Sequence, residues 1–371
     1  MRGGNPPAEP QTELVRIALV GVGRMGGAIR ERLEAGGHGV AAYDVRGGAG
    51  LAPSLPAAAA GADLVFFSLP DEAAVRSAAG ELAEVDDPPP LLVDLTSSLP
   101  RTTRAVAGRL AARGIAMLDA PLSGGVAGAR EGRLTAMVGG ETSWLEYARP
   151  ALCDFASHIV WAGPLGAGHA IKAVNNALSA TTLAVTCEML VRAVRAGHAE
   201  RDVLARWNGG AARSQNSEVK LPRDILPRTY AAGFAIGLME KDVATALSIG
   251  EGQGAALPQT RAVHSLWRGA LSNLGAHADF TRVHEYLSGL PLAPAATAEE
   301  MGNAIAAASL LAALELLPVA EGEGVEAGRA LDIVNASTGR SEATRARLRW
   351  EVDRDALRAC APILTLGSAA S

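Results

Sequence analysis

Between Val15 and Asp44 the chain sets out a strand, a glycine pattern, a helix and a second strand, and few folds accommodate that order. Val15-Arg16-Ile17-Ala18-Leu19-Val20 is a short apolar run, and Gly21-Val22-Gly23-Arg24-Met25-Gly26 follows at once. Ile29 and Leu33 fall at helical spacing, and Gly36-Gly37 is a natural helix stop. Strand, G-x-G-x-x-G and helix in this order are the context in which such glycines bind a dinucleotide. The first glycine permits the tight turn, the second lets the backbone approach a pyrophosphate, and the third packs helix on strand. Arg24 and Met25 begin the helix whose N-terminal N–H groups favour negative charge. The next strand, Gly39-Val40-Ala41-Ala42-Tyr43-Asp44, ends in an acid. A carboxylate there accepts both ribose hydroxyls of NAD and repels a 2′-phosphate, which favours NAD. Arg46 keeps NADP open, because an arginine beside that acid can meet the extra phosphate.

Further strands follow at the cadence of a doubly wound sheet: Asp63–Ser68, Leu91–Asp94, Ile115–Asp119 and Leu134–Val138. A helical stretch covers Arg101–Ala112. The loops Leu69-Pro70, Thr96-Ser97 and Pro121-Leu122-Ser123-Gly124-Gly125 leave the edge of the sheet where such folds bind ligands. Ser123-Gly124-Gly125 offers a hydroxyl and bare backbone N–H groups, which suit either a carboxylate cradle or an ordinary turn.

From Gly166 the pattern becomes helical. The expected organisation is a tail over 1–13, a Rossmann-type dinucleotide-binding domain over 14–164, an all-helical domain over 165–290 and a helical extension over 291–371. The tail, rich in Pro and Gly, is expected to be disordered. The composition, 49% apolar and 20% charged, supports sizeable cores, and 371 residues suit two domains. A net charge of −5 without a basic block argues against a nucleic-acid surface. No apolar run is read as long enough for a membrane span, and the N-terminus has no apolar signal segment. Cys153, Cys187 and Cys360 are scattered, as expected of reduced thiols in the cytoplasm, and no metal cluster is visible.

Among 34 basic residues only Lys172, Lys220 and Lys241 are lysines. Where arginine serves as the general surface cation, a retained lysine draws notice, since lysine can give up its proton and arginine cannot. Lys172 and Asn176 are four apart on the helical run that opens at Gly166, on a face otherwise Ala, Ile, Val and Leu. Desolvation there lowers a lysine pKa toward the range useful for proton transfer. Spacing alone leaves that reading level with a structural lysine paired to a carboxylate.

These motifs together resemble the β-hydroxyacid dehydrogenase family, which includes 3-hydroxyisobutyrate, tartronate semialdehyde and 6-phosphogluconate dehydrogenases. The resemblance covers about residues 15–290. It rests on GVGRMGGAI, on DLTSSLP at Asp94–Pro100, on DAPLSGGVAGAREGRLTAMVGG at Asp119–Gly140, on GAGHAIKAVNN, and on GFAIGLMEKDVATAL at Gly233–Leu247. Two departures stand out: Thr96 and Ser97 are exchanged in type, and Arg133 stands where a threonine is common. The resemblance implies NAD(P)-dependent interconversion of a small 3-hydroxy acid and its semialdehyde or keto form. Lys172 would act as general acid/base with Asn176 beside it. Ser123, Gly124 and Gly125 would bind the substrate carboxylate, Thr96 and Lys241 would lie near the nicotinamide, and Phe234 would line the substrate pocket. It also implies a homo-oligomer, such as a homodimer, formed through the helical domain.

Two other classes share parts of this pattern. Imine reductases share the fold but typically replace the family lysine, so Lys172 argues against them. A non-catalytic dinucleotide-binding module has no need of Lys172, Asn176 and the Ser-Gly-Gly loop together. His169 suits a helix start better than a catalytic role, and His277, Asp279, His284 and Glu285 lack a ligand spacing.

The extension carries an internal echo. A shift of 127 residues aligns Asn176–Ser214 with Asn303–Ser341 without a gap, matching Glu188 with Glu315, Gly197 with Gly324, Asn208 with Asn335 and Arg213-Ser214 with Arg340-Ser341. The pattern reads as a partial duplication of the helical domain. Glu299 stands where Lys172 maps, so the second copy is not expected to carry a second catalytic site.

Overall fold

A computed structural model describes residues 15–294 and 297–345. The expected tail over 1–13 and Cys360 lie outside the described residues. The chain falls into two units. The first runs to Lys172 and takes in Glu323–Glu326, and the second is Ala173–Gly322 with the chain from Ala327. The division lies inside an unbroken helix rather than at the expected 164/165 boundary, where no linker exists to mark it. Residues 298–321 and 327–345 belong to the same unit as 173–290, not to a separate extension.

In the first unit, β1 (Arg16–Val20), β2 (Gly39–Tyr43), β3 (Leu64–Phe67), β4 (Leu91–Asp94), β5 (Ala116–Asp119), β6 (Leu122–Ser123), β7 (Leu134–Gly139) and β8 (Ala156–Gly163) form one sheet. Its order is β2-β1-β3-β4-β5-β7-β6, with β8 beside β7. Strands β1 to β5 pair in parallel, while β7 runs antiparallel to β5 and β6. The helices are α1 (Arg24–Ala35), α2 (Leu55–Ala59), α3 (Glu72–Ala83), α4 (Pro100–Ala111), α5 (Gly125–Arg130) and α6 (Thr142–Cys153). Every residue of β3 and β4 is buried, as expected of central parallel strands covered on both faces. Side chains alternate between two cores. Ile17, Leu19, Phe66 and Val93 pack with Ile29 and Leu33 of α1 and Leu152 of α6. Ala18, Val20, Val65 and Leu92 pack with Leu55, Leu82 and Leu110 of α2, α3 and α4.

A long helix, α7 (Ala167–Arg195), runs from the first unit into the second. The second unit continues with α8 (Glu200–Asn208), a π-helical stretch (Asn216–Ile225), α9 (Ile236–Gly252), α10 (Pro258–Leu274), a 3-10 turn (Phe280–Arg282), α11 (Val283–Ser288), α12 (Ala298–Glu321), α13 (Ala327–Asn335) and α14 (Glu342–Arg345). Thr297 and Glu300 form a reciprocal capping box that starts α12. The expectation that no apolar stretch could span a membrane is corrected. Both α7 and α12 are long and apolar enough, although 89% of the stretch in α7 and 50% of that in α12 is buried within the protein. Alanine and threonine interleaved with the larger apolar residues hide the length of α7 from a search for unbroken runs.

The segments related by the 127-residue shift carry matching hydrogen bonds. Asn208 accepts from the Ser217 hydroxyl at 2.6 Å, and Asn335 from that of Thr344 at 2.8 Å. The amides of Ser214 and Ser341 donate to those same two hydroxyls, each at 2.9 Å. The two segments also pair with each other: the Gln215 amide donates to the Arg340 carbonyl at 2.9 Å, and the Glu342 amide to the Arg213 carbonyl at 2.8 Å. Each of these bonds is the image of the other under the shift.

Candidate active site

The glycine loop opens a cleft of about 620 Å³ in the first unit. The backbone turns at Gly21, whose φ of 93° and N–H bond to the Tyr43 carbonyl (2.8 Å) let the chain leave β1 toward α1. A Cβ on Gly26 would lie 1.9 Å from the Gly21 carbonyl oxygen, so only glycine lets α1 start this close to the turn. A Cβ on Gly23 would meet nothing nearer than the Arg46 guanidinium at 3.9 Å. Gly26 is therefore bare for the fold, whereas the fold leaves room for a side chain at Gly23. Gly26→Ala is expected to cost about 1–3 kcal/mol of stability. Gly23→Ala is expected to leave the thermal midpoint within a degree or two while weakening NADH about tenfold, a loss of about 1.4 kcal/mol. Thermal melts and NADH fluorescence titrations of both variants check the pair.

The cleft brings together Gly21, Gly23, Arg24, Met25, Gly26, Asp44, Leu69 and Pro70. No acidic residue lies in the first turn of α1, which leaves its N–H groups suited to a phosphate. These features fit a dinucleotide. Sequence reasoning missed the lining contributed by Ala74, Ser77 and Glu81, because nothing local marks α3 as a ligand wall. Arg46 does not stand clear of Asp44. Its Nε and Nη2 donate to the two carboxylate oxygens, each at 2.9 Å, and the Arg46 and Val22 amides donate as well. The Arg46 side chain foremost holds the Asp44 carboxyl well below the usual carboxylate range, against the cost of its burial.

Thr96 is not on the cleft wall, but its hydroxyl accepts from the Leu69 amide at 3.1 Å and ties the β4 loop to the β3 loop. The Thr96 amide donates to Asp94, whose carboxyl is fully buried and pushed up by desolvation. At the end of the neighbouring strand Asp119 accepts from the amides of Gly166 and His169, both at 2.7 Å, and so caps the start of α7. A Cβ on Gly168 would lie 2.2 Å from the Met137 carbonyl oxygen, so α7 begins in close contact with β7. His169 is buried and bonded to the Thr103 hydroxyl at 2.7 Å, which is a structural placement. Sequence reading did not single out Asp94 and Asp119. The usable signal was that both acids end strands at the ligand-binding edge.

Ser123 lies on β6, and Gly124 and Gly125, at φ of 128° and 69°, turn the chain into α5. That conformation suits glycine alone and keeps the backbone N–H groups of this turn uncovered by side chains. Lys172 lies in the first unit on α7 and is 6% exposed, with Ile171 and Val174 fully buried beside it.

The second unit holds Asn176, Lys241 and Phe234. Asn176 is one helical turn beyond Lys172 and is 4% exposed. Its amide nitrogen donates to Asp242 at 2.5 Å, and its amide oxygen accepts from Asn175 at 3.1 Å. Asp242 was missed, although an acid beside Lys241 on the apolar face of α9 could have been noticed. Phe234 is half-buried and packs edge-on against Phe280, with centroids 5.8 Å apart. Lys220 is buried, donates to Asn216 (2.8 Å) and Ser179 (3.3 Å), and sits 5.0 Å above the Phe280 ring. Arg133 and Arg213 are paired with Glu131 and Glu342 respectively. Among the described residues no group of three or more His, Cys, Asp or Glu is arranged to hold a metal.

Comparison with known proteins gives two family models that meet just before α7, at the 164/165 boundary expected from the sequence. The family model described as the NAD binding domain of 6-phosphogluconate dehydrogenase matches residues 16–163. The one described as NAD-binding of NADP-dependent 3-hydroxyisobutyrate dehydrogenase matches residues 166–287. A 3-hydroxyisobutyrate dehydrogenase of Pseudomonas aeruginosa is 36% identical over 261 residues, 65% of this chain and 87% of that protein. A 2-(hydroxymethyl)glutarate dehydrogenase of Eubacterium barkeri is 32% identical over 267 residues, 69% of this chain and 89% of that protein. The structure of a Mycobacterium tuberculosis 3-hydroxyisobutyrate dehydrogenase with L-serine superposes with a TM-score of 0.70 at 29% identity, covering 74% of this chain and 99% of that one.

Proposed function

Because the chain belongs to the β-hydroxyacid dehydrogenase family, NAD(P)-dependent oxidoreductases acting on the CH–OH of hydroxy acids, we propose that it interconverts a small 3-hydroxy acid and its semialdehyde or keto form, with NAD as the preferred cofactor. The observation that carries this reading is the buried Lys172 one helical turn before the buried Asn176 on α7.

When bound, the nicotinamide supplies the hydride acceptor for oxidation and the donor for reduction. Gly21, Gly23 and Gly26, with the start of α1, would hold the pyrophosphate, and Asp44 the ribose hydroxyls. Leu69, Pro70 and Thr96 would border the nicotinamide half, and Lys241 would lie near the ring. Ser123 and the amides of Gly124 and Gly125 bind the substrate carboxylate and so fix the carbon that bears the hydroxyl. Lys172 takes the hydroxyl proton as the hydride leaves, and returns it in the reverse direction. Asn176 would orient the reacting oxygen through its side-chain amide, and Phe234 lines the substrate pocket. The half-covered apolar stretch of α12 supports assembly of copies through the helical unit, as a homodimer. The cytoplasm is the proposed compartment, with Cys153 and Cys187 both unpaired thiols.

The test is nicotinamide absorbance with NAD and NADP against a panel of 3-hydroxy acids, each paired with its methyl ester. Turnover of the acids, falling about 10- to 100-fold with the esters as the charge-assisted grip on the carboxylate is lost, is expected. Equal turnover of acid and ester would remove the proposed grip, and ketone reduction that depends on added amine would point to imine chemistry instead.

A further inference from the structure

The second copy of the helical pattern lacks the catalytic lysine, yet it reaches the helix that carries Asn176. Within the second unit, the Gly339 amide donates to Asn175 Oδ1 at 2.9 Å, and Asn175 Nδ2 donates to the Thr338 hydroxyl at 3.0 Å. That same Nδ2 donates to Asn176 Oδ1 at 3.1 Å, and Asn176 Nδ2 donates to Asp242 at 2.5 Å. Asn175 is fully buried. We propose that Thr338 and Gly339 of the C-terminal repeat are positioning residues that, through Asn175, set which way the Asn176 amide faces.

The argument is one of direction. A backbone N–H can only donate, so Gly339 forces the oxygen of Asn175 toward itself and its NH2 group away. The NH2 group then faces Asn176 and requires the amide oxygen there as acceptor. At the far end Asp242 takes the Asn176 nitrogen as its donor, which leaves the Asn176 oxygen toward Asn175. Both ends of the relay thus agree, and they fix the orientation of the Asn176 amide, nitrogen toward Asp242 and oxygen toward Asn175. A side-chain amide without such fixed ends presents O or N with little preference, and either presentation wrongly chosen costs a bond in a buried site.

The contact also departs from the repeat. The positions equivalent to Thr338 and Gly339 are Ala211 and Ala212, and the position equivalent to Asn175 is Gly302. None of the three bonds has an image in the other copy, unlike the Asn208 and Asn335 bonds, which do. Close approach requires Gly339, because a Cβ there would lie 2.8 Å from both the carbonyl and the side-chain oxygen of Asn175. The second copy has therefore kept its pairing bonds while differing where it touches the functional helix.

This inference rests on the reading of Asn176 as part of the active site, and the experiment separates the two. Asn175→Asp keeps the shape but cannot donate to Asn176. Its kcat/KM for the hydroxy acid is expected to fall by up to about 100-fold, with NADH affinity within twofold of the parent. Asn176→Ala is expected to fall comparably, and the double variant to fall no further than the worse single one, since one residue acts through the other. If Asn175→Asp folds poorly, Thr338→Val carries the test, with a kcat/KM loss restored by Thr338→Ser. Additive losses in the double variant would overturn the proposal, as would a full-strength Asn175→Asp or Thr338→Val beside a crippled Asn176→Ala. An Asn176→Ala enzyme of parental activity would overturn the active-site reading, and this inference with it.

Discussion

Lys172→Ala is expected to lower kcat/KM for hydroxy-acid oxidation by about 100- to 10,000-fold, the range that a positioned general acid/base contributes. NADH affinity should be unchanged, because Lys172 takes no part in the glycine-loop cleft. The more telling variant is Lys172→Arg. Arginine keeps a cation on the same helix turn, so it preserves whatever the charge contributes to a developing alkoxide. It cannot release a proton at any working pH. If Lys172 shuttles the proton, Lys172→Arg is as impaired as Lys172→Ala; if it only supplies charge, the arginine recovers most of the lost rate. Lys172→Met separates a folding defect from a chemical one, since it fills the same buried space without charge. Steady-state kinetics on the three variants, each with its thermal midpoint, decide among these outcomes. A Lys172→Ala enzyme within tenfold of the parent would sink the proposed mechanism.

What could be read in advance divides by the range over which each feature is specified. The glycine loop, the strand that ends at Asp44 and the helix that begins at Gly166 are written in adjacent residues, and each is found where local pattern puts it. Strands β6 and β8 were not legible. A two-residue strand such as Leu122–Ser123 has no period to detect, and β8 meets β7 with register shifts that blur its alternation. Asp119 looks like any strand-end acid until Gly166, 47 positions away, folds back to donate to it. Asn175 is more opaque still, because its partner Gly339 lies 164 residues on, past the family motifs. The pairing of Arg46 with Asp44 was open to a local reading, since residues two apart across a turn can meet. Sequence alone leaves the two residues as rivals over the cofactor, whereas the structure joins them by two hydrogen bonds.

That bond leads to the second large effect. Asp44→Ala is expected to raise the ratio of kcat/KM with NADP to that with NAD by about 10- to 1,000-fold. Two changes act in the same direction. The substitution removes an ionised carboxylate that would stand near the 2′-phosphate, a repulsion of about 1–4 kcal/mol over a few ångströms at a protein surface, and each 1.4 kcal/mol is tenfold. It also frees the Arg46 guanidinium, whose side chain is 72% exposed and which otherwise spends Nε and Nη2 on Asp44. Arg46→Ala is expected to do the reverse, lowering whatever NADP activity Asp44→Ala gains when the two are combined, and leaving NAD turnover nearly as it was. The pH dependence has a definite sign. With its carboxyl held well below the usual range by Arg46, Asp44 stays ionised from neutral pH down to pH ~4 and contributes no change there. The 2′-phosphate dianion takes up one proton near pH ~6 to become the monoanion, so discrimination against NADP relaxes as pH falls through that value, from the ligand side alone. Asp44→Ala should flatten this relaxation, because the repulsion that protonation relieves is already gone. Initial rates with both cofactors across that interval, for parent and variant, measure the effect, and an unchanged cofactor ratio in Asp44→Ala would show that the acid does not read the ribose.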